Sequence, residues 1–186
     1  KNLKINYNVV KYCHLYKVKK LIACLSTCIF PDKITYPIKE DMLMNGPPHN
    51  SNNAYAYSKR MLYLQCKLYK EQYGDDFRCI SPTNIYGPND NFSINDGHVI
   101  PSLIHKCYIA KTENTPFVVF GTGKPLRQFI YSLDLANIIM QLLFTESHFD
   151  NIIISPKQEY SIDFVANQIK KSFQYDLLKY DATFSD

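Results

Sequence analysis

Short, uninterrupted apolar runs alternate along this chain with longer stretches of helical periodicity, and that alternation leaves few architectures open. Leu21-Ile22-Ala23-Cys24-Leu25, with lysines before it and Ser26-Thr27 after it, has the pattern of a strand buried on both faces. Phe77–Ile80, Phe117–Phe120, Gln128–Tyr131 and Ile152–Ile154 repeat the pattern. Between these runs lie helical stretches. Val9, Val10, Cys13 and Leu15 place one over residues 4–17. Ala54 to Tyr73 holds no Pro or Gly, repeats Leu62, Cys66, Tyr69 and Tyr73 at helical spacing, and is closed by Gly74. Others are expected at 98–111, where Pro101 is tolerated in the first turn, at 133–145 and at 161–174. Strands alternating with helices specify an α/β fold with a largely parallel sheet. Residues 31–53, with five Pro or Gly and four Asn, form a long loop of the kind that usually exists for function.

The 186 residues are 46% apolar and 20% charged, enough for a real core and unlike a disordered chain. The net charge of +4 is spread out, so no basic stripe for nucleic acid is expected, and Lys17–Lys20 reads as a solvated helix end. No apolar run approaches the roughly 20 residues of a membrane helix, and no signal peptide opens the chain. A soluble cytoplasmic protein without nucleic-acid or membrane partners is the expectation. The six cysteines form no CxxC pair and meet no His at zinc-finger spacing, so no metal site is expected. Most read as buried, reduced thiols, with Cys28 the exception.

Tyr55 and Lys59 stand at i and i+4, one helical turn apart on one face. A phenol is a poor acid–base group at neutral pH because its reference pKa is near 10, and a neighbouring ammonium is expected to draw that value down. Such a pair hands a proton to a carbonyl oxygen or takes one from a hydroxyl. Upstream, the first apolar strand runs straight into Ser26-Thr27-Cys28, and downstream the next strand runs into the turn-rich segment Pro82–Pro88. Open α/β sheets place ligands at the carboxyl ends of such strands.

This constellation resembles the extended short-chain dehydrogenase/reductase family, which acts on nucleotide sugars through a Ser/Thr–Tyr–Lys triad. Ser26-Thr27-Cys28-Ile29-Phe30-Pro31, Asn45–Asn50, Pro82–Pro88, Asp90-Asn91-Phe92, His98–Pro101 and Arg127–Ile130 are similar to segments of the GDP-L-fucose synthases within that family. The similarity is nearly continuous from Lys1 to about Asp134 and thinner beyond. It implies epimerisation of GDP-4-keto-6-deoxy-D-mannose at C3 and C5, then reduction at C4 by NADPH. By position it implies Tyr55 as proton donor to the C4 oxygen, Lys59 as its partner on the nicotinamide ribose, and Ser26 as the hydroxyl holding the carbonyl. Cys28 and His98 match the epimerisation base and acid, and a thiol (about 8.5) and an imidazole (about 6.5) bracket neutral pH. The segment Pro82, Thr83, Asn84 and Ile85 matches the backbone lining the nicotinamide, and His98 also falls at the cofactor. Lys106, Phe120, Arg127 and Asp186 match substrate-binding positions, the cations suiting a diphosphate. Phe120 stands where the family has Trp, and Phe184 where it has Lys.

The resemblance further implies an incomplete Rossmann-type parallel sheet plus part of a small C-terminal substrate domain. Residues 1–97 correspond to the C-terminal half of the NADP-binding domain, and 98–186 to mixed substrate-domain segments and remaining Rossmann elements. The Gly-rich turn of a dinucleotide site is not found. The sole GxG, Gly121-Thr122-Gly123, lacks the third glycine and precedes a strand, so it is a loop. About 90 N-terminal residues of the family pattern and its C-terminal end are expected to lie outside this chain, leaving the 186 residues inactive alone. A homodimer is implied, with helices 4–17 and 54–73 pairing with their mates in a four-helix bundle. Two alternatives stand beside this reading: another nucleotide-sugar epimerase or dehydratase, and a non-catalytic binding module derived from the family. Cys28 and His98 argue against the first, and the intact Ser26, Tyr55, Lys59, Cys28 and His98 against the second.

Overall fold

The computed structural model describes residues 1–146 and 148–184. In chain order the elements are α1 (Asn2–Leu15), β1 (Leu21–Cys24), α2 (Asn53–Tyr73), β2 (Phe77–Pro82), β3 (Asn84–Tyr86) and α3 (Val99–Glu113). There follow β4 (Phe117–Phe120), β5 (Leu126–Arg127), β6 (Phe129–Tyr131), α4 (Ser132–Phe144), β7 (Asn151–Ile154), β8 (Tyr160–Ser161), α5 (Ile162–Phe173) and β9 (Leu178–Asp181). They form two compact units, Lys1–Thr83 with Asp134–Ser155, and Asn84–Leu133 with the residues from Pro156 onward.

In the first unit, β1, β2 and β7 make a parallel sheet in the order β1-β2-β7, with Cys24 opposite Ile80 and Pro82 opposite Ile154. The central strand β2 is buried at all six positions. Its polar residues are paired: Arg78 bonds the Asp76 carboxylate at 2.5 Å, and Ser81 Oγ donates to Asn151 Oδ1 at 3.0 Å. β1 stands at the sheet edge and differs from the expected two-sided burial. Ala23 and Leu25 join Val10 of α1 and Leu62 and Cys66 of α2 in one core, while Cys24 points to the uncovered face. Cys13 and Cys28 are half-buried, Cys66, Cys79 and Cys107 buried, and all six thiols unpaired.

α2 runs unbroken because nothing in it interrupts the ladder. It stops at Gly74, whose positive φ of 73° lets its N–H fold back onto the Lys70 carbonyl. α1 ends at Leu15, two residues short of the expected Lys17, whose φ of 53° breaks the helix, and is tied to the end of α2 by His14 Nδ1 at 2.6 Å from the Asp75 carboxylate. The long loop is folded rather than loose. It contains 3₁₀ turns at Glu40–Met44 and Asn50–Asn52, buries Leu43 in the core of the unit, and offers the Glu40 carboxylate to the Ile153 N–H of β7 at 2.9 Å.

The second unit holds three two-stranded ladders: β3–β6 and β4–β9 parallel, β5–β8 antiparallel. Its core gathers Leu103 and Cys107 of α3, Phe117 and Val119 of β4, and Val165, Ala166 and Ile169 of α5. The segment 82–88 is not all turn, since β2 extends through Pro82 and β3 pairs with β6. Among the described residues no helix is long and apolar enough to cross a membrane.

Candidate active site

β1 delivers the chain to Ser26, whose extended backbone caps a single 3₁₀ turn over Thr27–Ile29. Ser26 Oγ accepts the Cys28 N–H at 3.4 Å, so the thiol rides on a turn anchored to the strand end. α2 presents Tyr55 and Lys59 on its first two turns. Lys59 Nζ donates to the Cys24 carbonyl at 2.7 Å and lies 5.8 Å from the centroid of the Tyr55 ring. The expectation that the ammonium draws the phenol down is not met. Burial pushes the Tyr55 phenol up, and the neighbouring Cys28 and Cys24 thiols push it the same way. A phenol so placed keeps its proton at neutral pH, which suits a proton donor and not a base.

Because β1 and β2 are parallel neighbours, Pro82 and Thr83 reach the same edge of the sheet as Ser26. The Thr83 N–H donates to the Ile154 carbonyl at 3.1 Å, whereas its buried Oγ1 has no partner. Ser26, Cys28, Tyr55, Lys59, Pro82 and Thr83 thus form one group at the carboxyl edge of the first unit's sheet.

The remaining nominated residues belong to the second unit. Asn84 and Ile85 of β3, His98, Phe120 at the end of β4 and Arg127 of β5 line one cavity of about 260 Å³. His98 is exposed at the N-cap position of α3, with no side-chain bond to the helix. Lys106 Nζ sits 3.3 Å from the centroid of the Phe120 ring, and burial holds its ammonium below the usual lysine range. Phe184 stacks on Phe120 with centroids 4.0 Å apart, too close for Lys106 to share that face, so the ring is sandwiched between cation and aromatic. Arg127 donates to its neighbour's carbonyl, Leu126, at 2.8 Å and is otherwise exposed. Asp186 lies outside the described residues. Gly121 and Gly123 both have positive φ, the segment after them is β5 rather than a helix, as a loop and not a dinucleotide turn requires, and Gly123 joins the cavity wall.

Residues 1–154 match the family model described as the NAD dependent epimerase/dehydratase family. The chain belongs to that family. It is 50% identical over 176 residues to a GDP-L-fucose synthase of Dictyostelium discoideum, covering 94% of this chain and 55% of the relative. It is 43% identical to a probable GDP-L-fucose synthase of Drosophila melanogaster, covering 94% and 57%. A GDP-L-fucose synthetase from Naegleria fowleri, solved bound to NADP, superposes with a TM-score of 0.96 at 46% identity, covering 100% of this chain and 60% of that one. The chain therefore spans about 55–60% of the length of these relatives. Epimerase/dehydratase membership accounts for the parallel sheet and its helices.

Two side chains that shape the edge of the first unit's sheet carry no motif. Glu40 anchors the long loop to β7, and Arg60 is buried beside Lys59. The only sequence signal for Arg60 is its spacing of i+4 from the buried Ala56, which puts a cation on the stripe where α2 otherwise buries apolar groups.

Proposed function

We propose that this chain is part of a GDP-L-fucose synthase, which epimerises GDP-4-keto-6-deoxy-D-mannose at C3 and C5 and reduces it at C4 with NADPH. The observation that carries this is the joint placement of a phenol, an ammonium, a hydroxyl and a thiol at one strand edge, in a chain 50% identical to such an enzyme. The nicotinamide end of NADPH fits here. The buried Thr83 hydroxyl lacks a partner at the strand end, and Lys59 supplies an ammonium one helical turn from Tyr55. When bound, NADPH supplies the hydride for C4.

The roles follow from the chemistry of each group. A proton alpha to a ketone becomes removable once the enolate oxygen is held, and Ser26 and Tyr55 are the hydroxyls that hold it. By the family resemblance, Cys28 takes that proton as the base and His98 returns one as the acid, which inverts the carbon. As C4 is reduced, Tyr55 gives its proton to the C4 oxygen. Lys106 and Arg127 bind the diphosphate, and the rim of the Phe120 ring, whose faces are taken by Lys106 and Phe184, borders the base or sugar.

A homodimer fits the surface of the first unit. α1 buries only Val10 and leaves Ile5, Val9 and Tyr12 exposed along one face, with Tyr16 exposed at its C-cap, and α2 exposes Tyr57, Met61 and Leu68. An amphipathic helix needs one apolar stripe for its own core, and these helices carry a second. The cytoplasm is the compartment we propose, supported by six unpaired thiols.

The test is to give the complete protein GDP-4-keto-6-deoxy-D-mannose and NADPH in deuterated water. The expected product is GDP-L-fucose carrying deuterium at C3 and C5, identified by NMR. A C4-reduced product without deuterium at either carbon overturns the epimerase half, and no reduced product overturns the whole reading.

A further inference from the structure

The loop of residues 31–53 joins the turn bearing Cys28 to the helix bearing Tyr55 and Lys59, and one buried side chain closes its neck. Arg60 of α2 is 6% exposed. Its Nε donates to the Ile29 carbonyl at 2.6 Å and its Nη1 to the Gly46 carbonyl at 2.7 Å. The Tyr57 ring lies 5.5 Å from the guanidinium. Around this fork the two arms of the loop meet. The Asp32 N–H donates to the Pro47 carbonyl at 3.0 Å, and a Cβ on Gly46 would come within 3.3 Å of Pro31.

Burying a guanidinium is costly unless its N–H groups find acceptors, and an apolar side chain would fill the same space more simply. What the guanidinium adds is a rigid planar fork whose separate nitrogens bond two carbonyls in fixed directions, whereas a lysine brings a single nitrogen on a flexible stem. One of those carbonyls belongs to Ile29, the last residue of the turn whose central residue is Cys28, and the other to Gly46 in the far arm of the loop. The fork therefore ties three pieces together: the helix of the phenol, the turn of the thiol and the end of the loop.

We infer that Arg60 is a positioning residue, fixing the Cys28 turn and the loop neck against the helix that carries Tyr55 and Lys59. Its consequence for catalysis rests on the reading of Cys28 as the epimerisation base; the positioning itself does not. Removing the fork frees the thiol to wander while leaving Tyr55 and Lys59 on an intact helix, so the two half-reactions separate.

The test uses the complete protein with Arg60→Lys and Arg60→Met. Iodoacetamide labelling of Cys28, followed by tandem mass spectrometry with buried Cys66 and Cys79 as internal controls, is expected to speed up severalfold in both folded variants. Deuterium exchange into C3 and C5 should fall about tenfold or more, as expected for a displaced catalytic group, while reduction at C4 falls far less. Unchanged Cys28 labelling in the folded variants overturns the inference, and so does an equal loss of both half-reactions. If neither variant folds, amide hydrogen exchange of the wild type decides. Protection of the Ile29, Phe30 and Asp32 amides, which bond within the Cys28 turn and across the loop neck, comparable to α2 supports the clamp, and exchange at open-loop rates overturns it. Should the wild type itself show no exchange at C3 and C5, the proposed function fails while the labelling still decides the role of Arg60.

Discussion

Tyr55 is held by burial above its ordinary phenol value, and the sign of that shift sets what it does with pH. A raised value keeps the neutral, proton-bearing form through neutrality and loses it only as pH climbs past the ordinary phenol range. C4 reduction by the complete protein is therefore expected to show no falling limb from the phenol between about pH 6 and 9. A pH–rate profile of hydride transfer checks this. Tyr55→Phe removes the proton without disturbing Lys106 or Arg127. Reduction should fall by about 10²–10⁴, the usual contribution of a general acid, with nucleotide-sugar binding largely kept. Turnover within about threefold of wild type would remove Tyr55 from the mechanism. Cys28→Ser and His98→Gln should each slow deuterium uptake at C3 and C5 while sparing direct reduction of the unepimerised ketone. Exchange at the wild-type rate in both variants assigns the base and acid elsewhere.

At the scale of elements, the turn between β4 and β5 depends on Gly123. Its φ is +73°, and a Cβ there would lie 2.7 Å from Cε1 of Tyr180, whose hydroxyl is bonded to the Asp163 carboxylate. Gly123→Ala is expected to cost roughly 1–3 kcal/mol from backbone strain and collision combined, seen as a lower melting temperature of the complete protein. An unchanged melting curve would show that the turn has slack. This glycine, the unbroken α2 and the runs that became β1, β2, β4 and β7 were all legible, because each is set by local periodicity or backbone freedom. β3, β8 and β9 were not. Asn84-Ile85-Tyr86 follows a proline in a turn-rich segment, and Leu178-Lys179-Tyr180-Asp181 has no apolar run; both are strands only because β6 and β4 lie beside them. The same limit hid Arg60, whose acceptors at Ile29 and Gly46 are distant in sequence. It also explains Tyr55. Spacing revealed the ammonium at i+4, but the burial and the two thiols that dominate the phenol come from tertiary packing.

For the whole molecule, the second apolar stripes on α1 and α2 predict association of copies. Val9→Lys combined with Met61→Lys, both at exposed helix positions, should leave the fold intact and yield a monomer by sedimentation at micromolar concentration. An unchanged dimer places the interface elsewhere, and a monomeric wild type removes it. The 186 residues expressed alone should dissolve poorly, since β1 offers its free edge to other chains. They contain no glycine-rich turn opening a helix, so each missing backbone donor to the pyrophosphate forfeits about 1.5–3 kcal/mol of cofactor binding. A soluble form binding NADPH at micromolar affinity by calorimetry would refute both expectations. The division of the chain has a further effect, on its biosynthesis. β2 finishes at Pro82, but the strand that covers its second edge begins only at Asn151, after the stretch of the second unit from Asn84 to Leu133 has been made. A nascent chain on the ribosome must therefore carry a bare strand edge, its backbone N–H and C=O groups open to other chains, throughout that interval, which makes this stretch of translation the period when the protein most needs a chaperone.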